Sequence, residues 1–153
     1  MIFDATQDFT LPYPGSEQDA LAFLRNPARS LREVGFLRGL RSDGNIVRAE
    51  MTVNVPMLGE LSLPFESDLT ETPRGALLTP RPLSGRAWVE VRGEGEVRDN
   101  ALHYRFTFRA HVHLPTAEKW GGAAFEKMAN ATAHKTLERV VREFPEGVRA
   151  AMP

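Results

Sequence analysis

Between Gly35 and Leu114 apolar and polar residues alternate, and from Phe125 to Phe144 the apolar ones recur at every third or fourth position. A period of two belongs to strands with one buried face, a period of 3.6 to a helix with one buried stripe. The stripe is Phe125, Met128, Ala129, Thr132, Ala133, Leu137, Val140, Val141 and Phe144, and Pro145 reads as its end. Glu126, Lys127, Asn130, Lys135, Glu138, Arg142 and Glu143 mark the opposite side, with Glu138 and Arg142 spaced to pair. A lone helix with one apolar face needs something to lie against. The apolar face of the alternating region is the obvious partner.

The alternation has an earlier outlier. Met1, Phe3, Ala5, Phe9 and Leu11 share one face of a first strand, with Asp4, Thr6, Asp8 and Thr10 on the other, and Pro-Tyr-Pro-Gly ends it. Ser16 reads as an N-cap with Asp19 three residues on. Asn26-Pro27 starts a second short helix with Leu31 and Val34 as its apolar side and Gly35 as its stop. Six strands follow. They turn at Asp43-Gly44-Asn45, at Pro56-Met57-Leu58-Gly59 and at Thr72-Pro73-Arg74-Gly75. Val47, Ala49, Met51, Val53 and Val55 face inward in one, and Leu61, Leu63, Phe65 and Leu69 in the next, where Pro64 marks an edge or irregular position. The stretch Ala76–Leu83 is a weaker, proline-interrupted strand.

Asp99-Asn100 suits a two-residue hairpin turn. It sets Glu96 opposite His103, Glu94 opposite Arg105, Arg92 opposite Thr107, Glu90 opposite Arg109 and Trp88 opposite His111 on one face. The other face pairs Val97 with Leu102, Val91 with Phe108, Val89 with Ala110 and Ala87 with Val112, and places Gly95 and Gly93 across from Tyr104 and Phe106. Glycines there make room for rings and allow the sheet to bend. By this register His103, His111 and His113 lie on the polar outer face. His111 and His113 share a side, but no third ligand is placed beside them, so the trio reads as a solvated surface rather than a metal site. His134 falls towards the polar side of the last helix.

Other chemistry is sparse. With no cysteine there are no disulfides, thiolate metal sites or cysteine nucleophiles. No G-x-S-x-G elbow occurs, and the G-x-G of Gly93–Gly95 lies within a strand, so it is no nucleotide loop. Glu66 and Asp68 alternate with Phe65 and Leu69 and therefore point outward. A net charge of −1 with interspersed signs gives no footprint for nucleic acid, and no apolar run reaches the length of a membrane span. The early acids and missing basic n-region do not suit a signal peptide, so a cytoplasmic protein is expected. No cofactor is implied, and self-association stays open. Polar side chains expected inward are Gln7, Ser67 and Tyr104, with Met51 and Met128 of adaptable character nearby. Glu118–Gly122 reads as an entrance segment before the helix, its paired glycines giving freedom.

The order strand, two short helices, six strands, long helix resembles the helix-grip fold of the START/Bet v1-like (SRPBCC) superfamily. Leu11–Asn45 is similar to that superfamily's opening, and Gly85–Leu114 with Phe125–Phe144 to its closing hairpin and helix. The nearest flavour is the branch that resembles the G-type subunit of carbon monoxide dehydrogenase. The whole chain also resembles an uncharacterised family of small proteins from Deinococcus–Thermus bacteria. The resemblance implies an α+β fold, one domain over 1–153, in which a strongly curved antiparallel sheet of about seven strands wraps the C-terminal helix. It also implies a cavity between them for a small apolar molecule or lipid. Gln7, Met51, Phe65, Tyr104, Phe106, Phe125 and Met128 are the candidate lining, with Tyr104 orienting a polar end. The superfamily shares no catalytic motif, so no catalytic residue carries over. Two alternatives are an adaptor with a filled core and a cyclase or hydratase using Tyr104 as acid with Gln7 as polar partner.

Overall fold

The structure is a computed structural model that describes residues 2–55, 59–113 and 122–153, with nothing said of the side chains of Val55 and Phe125. Seven strands form one antiparallel sheet: β1 (Ile2–Pro12), β2 (Leu37–Asp43), β3 (Ile46–Val55), β4 (Gly59–Thr72), β5 (Gly75–Pro80), β6 (Ala87–Arg98) and β7 (Ala101–Val112). Their spatial order is β1-β7-β6-β5-β4-β3-β2, so β1 joins the sheet beside the last strand and β2 forms the other edge. Two short helices, α1 (Glu17–Leu24) and α2 (Pro27–Ser30), carry the chain between those edges, and α3 (Gly122–Ala151) closes it. Most of the turn expected at Pro56–Gly59 and all but the last residue of the Glu118–Gly122 segment lie outside the described residues.

The β6–β7 hairpin has the register its turn dictates. Asp99 and Asn100 take φ of 52° and 59°, the left-handed pair of a two-residue turn, and Arg98 faces Ala101, Glu94 faces Arg105 and Trp88 faces His111. The charges on that face are satisfied differently from the rung pairing. Arg105 turns to Asp8 at 2.7 Å and Arg109 to Asp4 at 2.8 Å, both directly opposite on β1. Each guanidinium is held more firmly charged by that hydrogen bond, and Asp8 is held below the usual carboxylate range by Arg105. β7 therefore spends its arginines on the incoming edge strand. Since these pairs are exposed, they orient β1 more than they stabilise it.

Backbone irregularities sit where the sheet allows them. Pro64 faces Glu50 of β3, in the part of β4 that precedes its first pair with β5 at Ser67, so its missing N–H interrupts no ladder there. The β5–β6 ladder ends at Leu78–Gly93, and Ser67 Oγ donates at 2.6 Å to the Val91 carbonyl beyond it. That accounts for a fully buried serine. Gly93 and Gly95 have different duties: a Cβ on Gly93 would lie 2.8 Å from the Phe106 ring, whereas one on Gly95 would meet Leu24 of α1 at 3.0 Å.

The helices show two departures from expectation. α2 is a single turn, and Asn26 makes no side-chain cap, although Ser16 does cap α1 through the Asp19 N–H at 3.1 Å. More telling, α3 does not stop at Pro145 but runs on to Ala151. A proline cannot donate to the carbonyl four residues back, here that of Val141. Gln7 on β1 donates its Nε2 to that carbonyl at 3.1 Å. The inward-facing glutamine supplies the hydrogen bond the proline withholds, and the helix continues. The expected Glu138–Arg142 pair gives way to a His134–Glu138 contact on the outer side and an Arg139–Glu143 contact on a half-buried flank.

Candidate functional site

Burial along α3 is uneven. Val140, Phe144, Val148 and Ala151 are buried, while Met128, Ala129, Thr132, Ala133 and Leu137 on the same stripe are only half-buried. The C-terminal half is clamped. Phe144 packs at ring-centroid distances of 4.5 Å from Phe106, 5.2 Å from Phe9 and 5.6 Å from Phe36. Gly147 passes so close to the α2–β2 connection that a Cβ would sit 2.7 Å from the Val34 Cα. The N-terminal half presents small side chains to a curved sheet, and small side chains cannot span the gap. What remains is a cavity of about 440 Å³.

Its sheet wall is apolar: Met51 and Val53 of β3, Leu61 and Leu63 of β4, Val89 of β6, and Phe108, Ala110 and Val112 of β7, with Phe3 and Ala5 of β1. Its helix wall is Ala129, Ala133, Leu137 and Val140 with Thr132 and Thr136 among them. Exposed Ile2, Asn130 and His134 belong to the same lining, so the cavity reaches solvent at that end. Arg139 ties the helix wall to the sheet by donating to the Thr52 carbonyl on β3. The titratable residues of the lining have partners at the surface, Asp4 with Arg109 and His134 with Glu138 at 3.1 Å. The volume is in the range of small-molecule sites, and apolar walls with a few polar groups are their usual make-up.

Of the residues singled out in the sequence, Met51 lines this cavity. Gln7 lies two residues beyond Ala5 on the same face of β1, bound to Val141. Phe65 is buried in the core, and Met128 is half-buried on α3 without joining the lining. Phe125 is on α3, and its side chain is outside what is described. Tyr104 and Phe106 belong to the aromatic cluster around Phe9 and Phe144 and face a separate, much smaller void. Burial pushes the Tyr104 hydroxyl well above the ordinary tyrosine range, and the Ser30 hydroxyl beside it, placed to hydrogen-bond, offsets that in part. Sequence reasoning places Phe125 and Met128 on the helix side and leaves out the rest of the helix wall. Its signal is present in Ala129, Thr132 and Ala133, small residues on an inward stripe facing a sheet expected to be strongly curved.

The outer-face histidines do not converge. His111 stacks on Trp88 at 4.5 Å and its Nε2 lies 2.8 Å from Glu90, His103 shares a hydrogen bond with Thr10, and no group of three potential ligands suited to a metal occurs among the described residues. Nor is any helix among them long and apolar enough to cross a membrane.

Solved structures show the same architecture. TTHA0849 from Thermus thermophilus superposes with a TM-score of 0.63 at 14% identity, over 98% of this chain and 99% of that one. The di-domain aromatase/cyclase StfQ of the steffimycin biosynthetic pathway gives 0.53 at 15% identity, over 97% of this chain and 49% of that one. A START superfamily protein from Mycobacterium smegmatis is similar at 0.45 and 14% identity, over 95% and 97% of the two chains. At such identities the likeness is one of fold, and the first two matches together with the element order make it the helix-grip fold. No curated protein matches the sequence. The family model described as "Protein of unknown function (DUF3809)" matches residues 8–142, and the chain belongs to that family.

Proposed function

We propose that this protein is a cytoplasmic, single-domain binding protein that holds a small, predominantly apolar molecule or lipid between its sheet and the N-terminal half of α3. The observation that carries the reading is the cavity of about 440 Å³, walled by aliphatic and phenylalanine side chains and reaching solvent beside Asn130 and His134. Because the space opens to solvent, water is the alternative occupant; apolar walls hold water poorly, whereas an apolar guest turns the same walls into favourable burial. Met51 gives the sheet wall an adaptable side chain. Gln7, Phe65, Tyr104, Phe106 and Met128 complete the proposed site only if the guest reaches past the lining, and Gln7 is the best placed for that; Phe125, whose side chain is outside what is described, stays in the proposed set by its position one turn before Ala129 on α3.

Binding is favoured over catalysis. The titratable residues of the described lining, Asp4 and His134, are exposed and sit in surface pairs with Arg109 and Glu138, and the buried walls are apolar. Tyr104 lies outside the lining with its hydroxyl held protonated by burial. Native mass spectrometry of protein purified without denaturation, compared with its denatured mass, tests the proposal. A stoichiometric adduct that leaves on denaturation is the expected result, and its mass gives the ligand class. Protein that is bare as isolated and takes up no member of a panel of neutral lipids, sterols and fatty acids would count against it.

A further inference from the structure

The cavity between sheet and helix is apolar on its sheet side, and its polar side chains sit on two different flanks of α3. Asn130 and His134, one turn apart, are exposed beside Ile2, where the space opens to solvent. Thr132 and Thr136, also one turn apart, line it from half-buried positions. They share their flank with Arg139, which donates to the Thr52 carbonyl, so theirs is the side of the helix that meets β3. A hydroxyl on an apolar wall costs free energy unless something pairs with it. Valine, of nearly the same shape, would line the wall without that cost.

We propose that the site selects an uncharged amphiphile, an apolar body with one hydrogen-bonding group of the alcohol type seated against Thr132 and Thr136, over the carboxylate of the same length. The inference deepens the binding reading and rests on it. A threonine hydroxyl donates and accepts, so an alcohol is met on either count, while a carboxylate only accepts and brings its charge. Among the described residues the lining holds no lysine or arginine. Arg139, one turn on along the threonine flank, is taken up by the Thr52 carbonyl and by Glu143 at 3.8 Å. Around the opening Asp4 sits with Arg109 and Glu138 with His134, and neither pair offers an acid an unmatched positive charge. An anionic head on the inner flank is therefore desolvated without a counter-charge, a far larger cost than a neutral head incurs. The orientation follows from the same asymmetry. The polar group lies towards β3, and the body runs along Val89, Phe108 and Ala110 of the sheet wall.

The test is displacement of a neutral, environment-sensitive fluorophore at pH 8 by 1-octanol, octanoate and 1-chlorooctane, on the native chain and on the double variant Thr132→Val, Thr136→Val. Octanol should bind the native protein at least tenfold more tightly than octanoate. In the double variant octanol should weaken about fivefold, the worth of a hydrogen bond, while chlorooctane, which has no hydroxyl, binds as well as before or better. That unchanged arm also shows that the variant is folded with its cavity intact. Octanoate binding as tightly as octanol would overturn the proposal and leave the cavity a binding site. So would octanol affinity unmoved by the two substitutions, or octanol and chlorooctane weakened alike. Binding of none of the three to the native protein would overturn both this proposal and the reading beneath it.

Discussion

Gln7 and Pro145 are intelligible only together. A glutamine on the inner face of a strand is costly, and a proline six residues from a helix end removes a donor; the Gln7 amide N–H donates to the Val141 carbonyl that the proline leaves open, while Gln7 Oε1 has no partner among the described residues. Gln7→Leu should therefore destabilise the fold by about 1–3 kcal/mol, the usual penalty for stranding a buried polar group. In a Pro145→Ala background, where residue 145 regains its N–H, the same substitution should cost distinctly less. Urea denaturation of the four proteins of that cycle measures the coupling, and strictly additive costs would refute the pairing. Tyr104 supports a second prediction, on pH. Its folded pKa is raised by burial, so above about pH 10 the unfolded chain ionises a phenol that the folded chain does not. That contribution to stability is present below about pH 10 and drains away above it. Tyr104→Phe should show a shallower alkaline loss in denaturation midpoints measured against pH.

At the scale of elements, α3 is two helices in one: a clamped C-terminal half and an N-terminal half that stands off the sheet. Gly147 marks the clamp. Gly147→Ala should destabilise, despite alanine's better helix propensity, because its Cβ would press on main-chain atoms of Glu33 and Val34. Gly122→Ala, where nothing described lies within 4 Å of the added carbon, should be neutral or stabilising, and thermal unfolding of both gives the signs. The strands are legible in the sequence because alternation over ten or more residues survives local noise, and because Asp99-Asn100 sets the hairpin register to the residue. The end of α3 is not legible. Pro145 is a sound stop signal on local grounds, and what cancels it is a side chain on the first strand, far away in the chain. The Arg105 and Arg109 partners escape for the same reason, since nothing local to the hairpin says that β1 lies beside β7.

For the whole molecule, the curved sheet and long helix are readable, and the position of the space between them is not. Residue character points to Gln7, Met51, Phe65, Tyr104, Phe106, Phe125 and Met128, of which Met51 is in the described lining, beside Phe3 and Phe108. The cavity lies where Ala110, Ala129 and Ala133 face one another across the gap. The size of side chains decides where a helix-grip fold is hollow, and a candidate site drawn from residue character alone overlooks that. The most direct test of the central claim is equilibrium titration with a neutral, environment-sensitive fluorophore, on the native protein and on Ala133→Phe, whose added ring would occupy the cavity. The account predicts about one site per chain in the native protein and at least a tenfold weaker affinity in Ala133→Phe, ~1.4 kcal/mol, with folding intact. Equal affinity in the two proteins, or no binding by the native one, would contradict it.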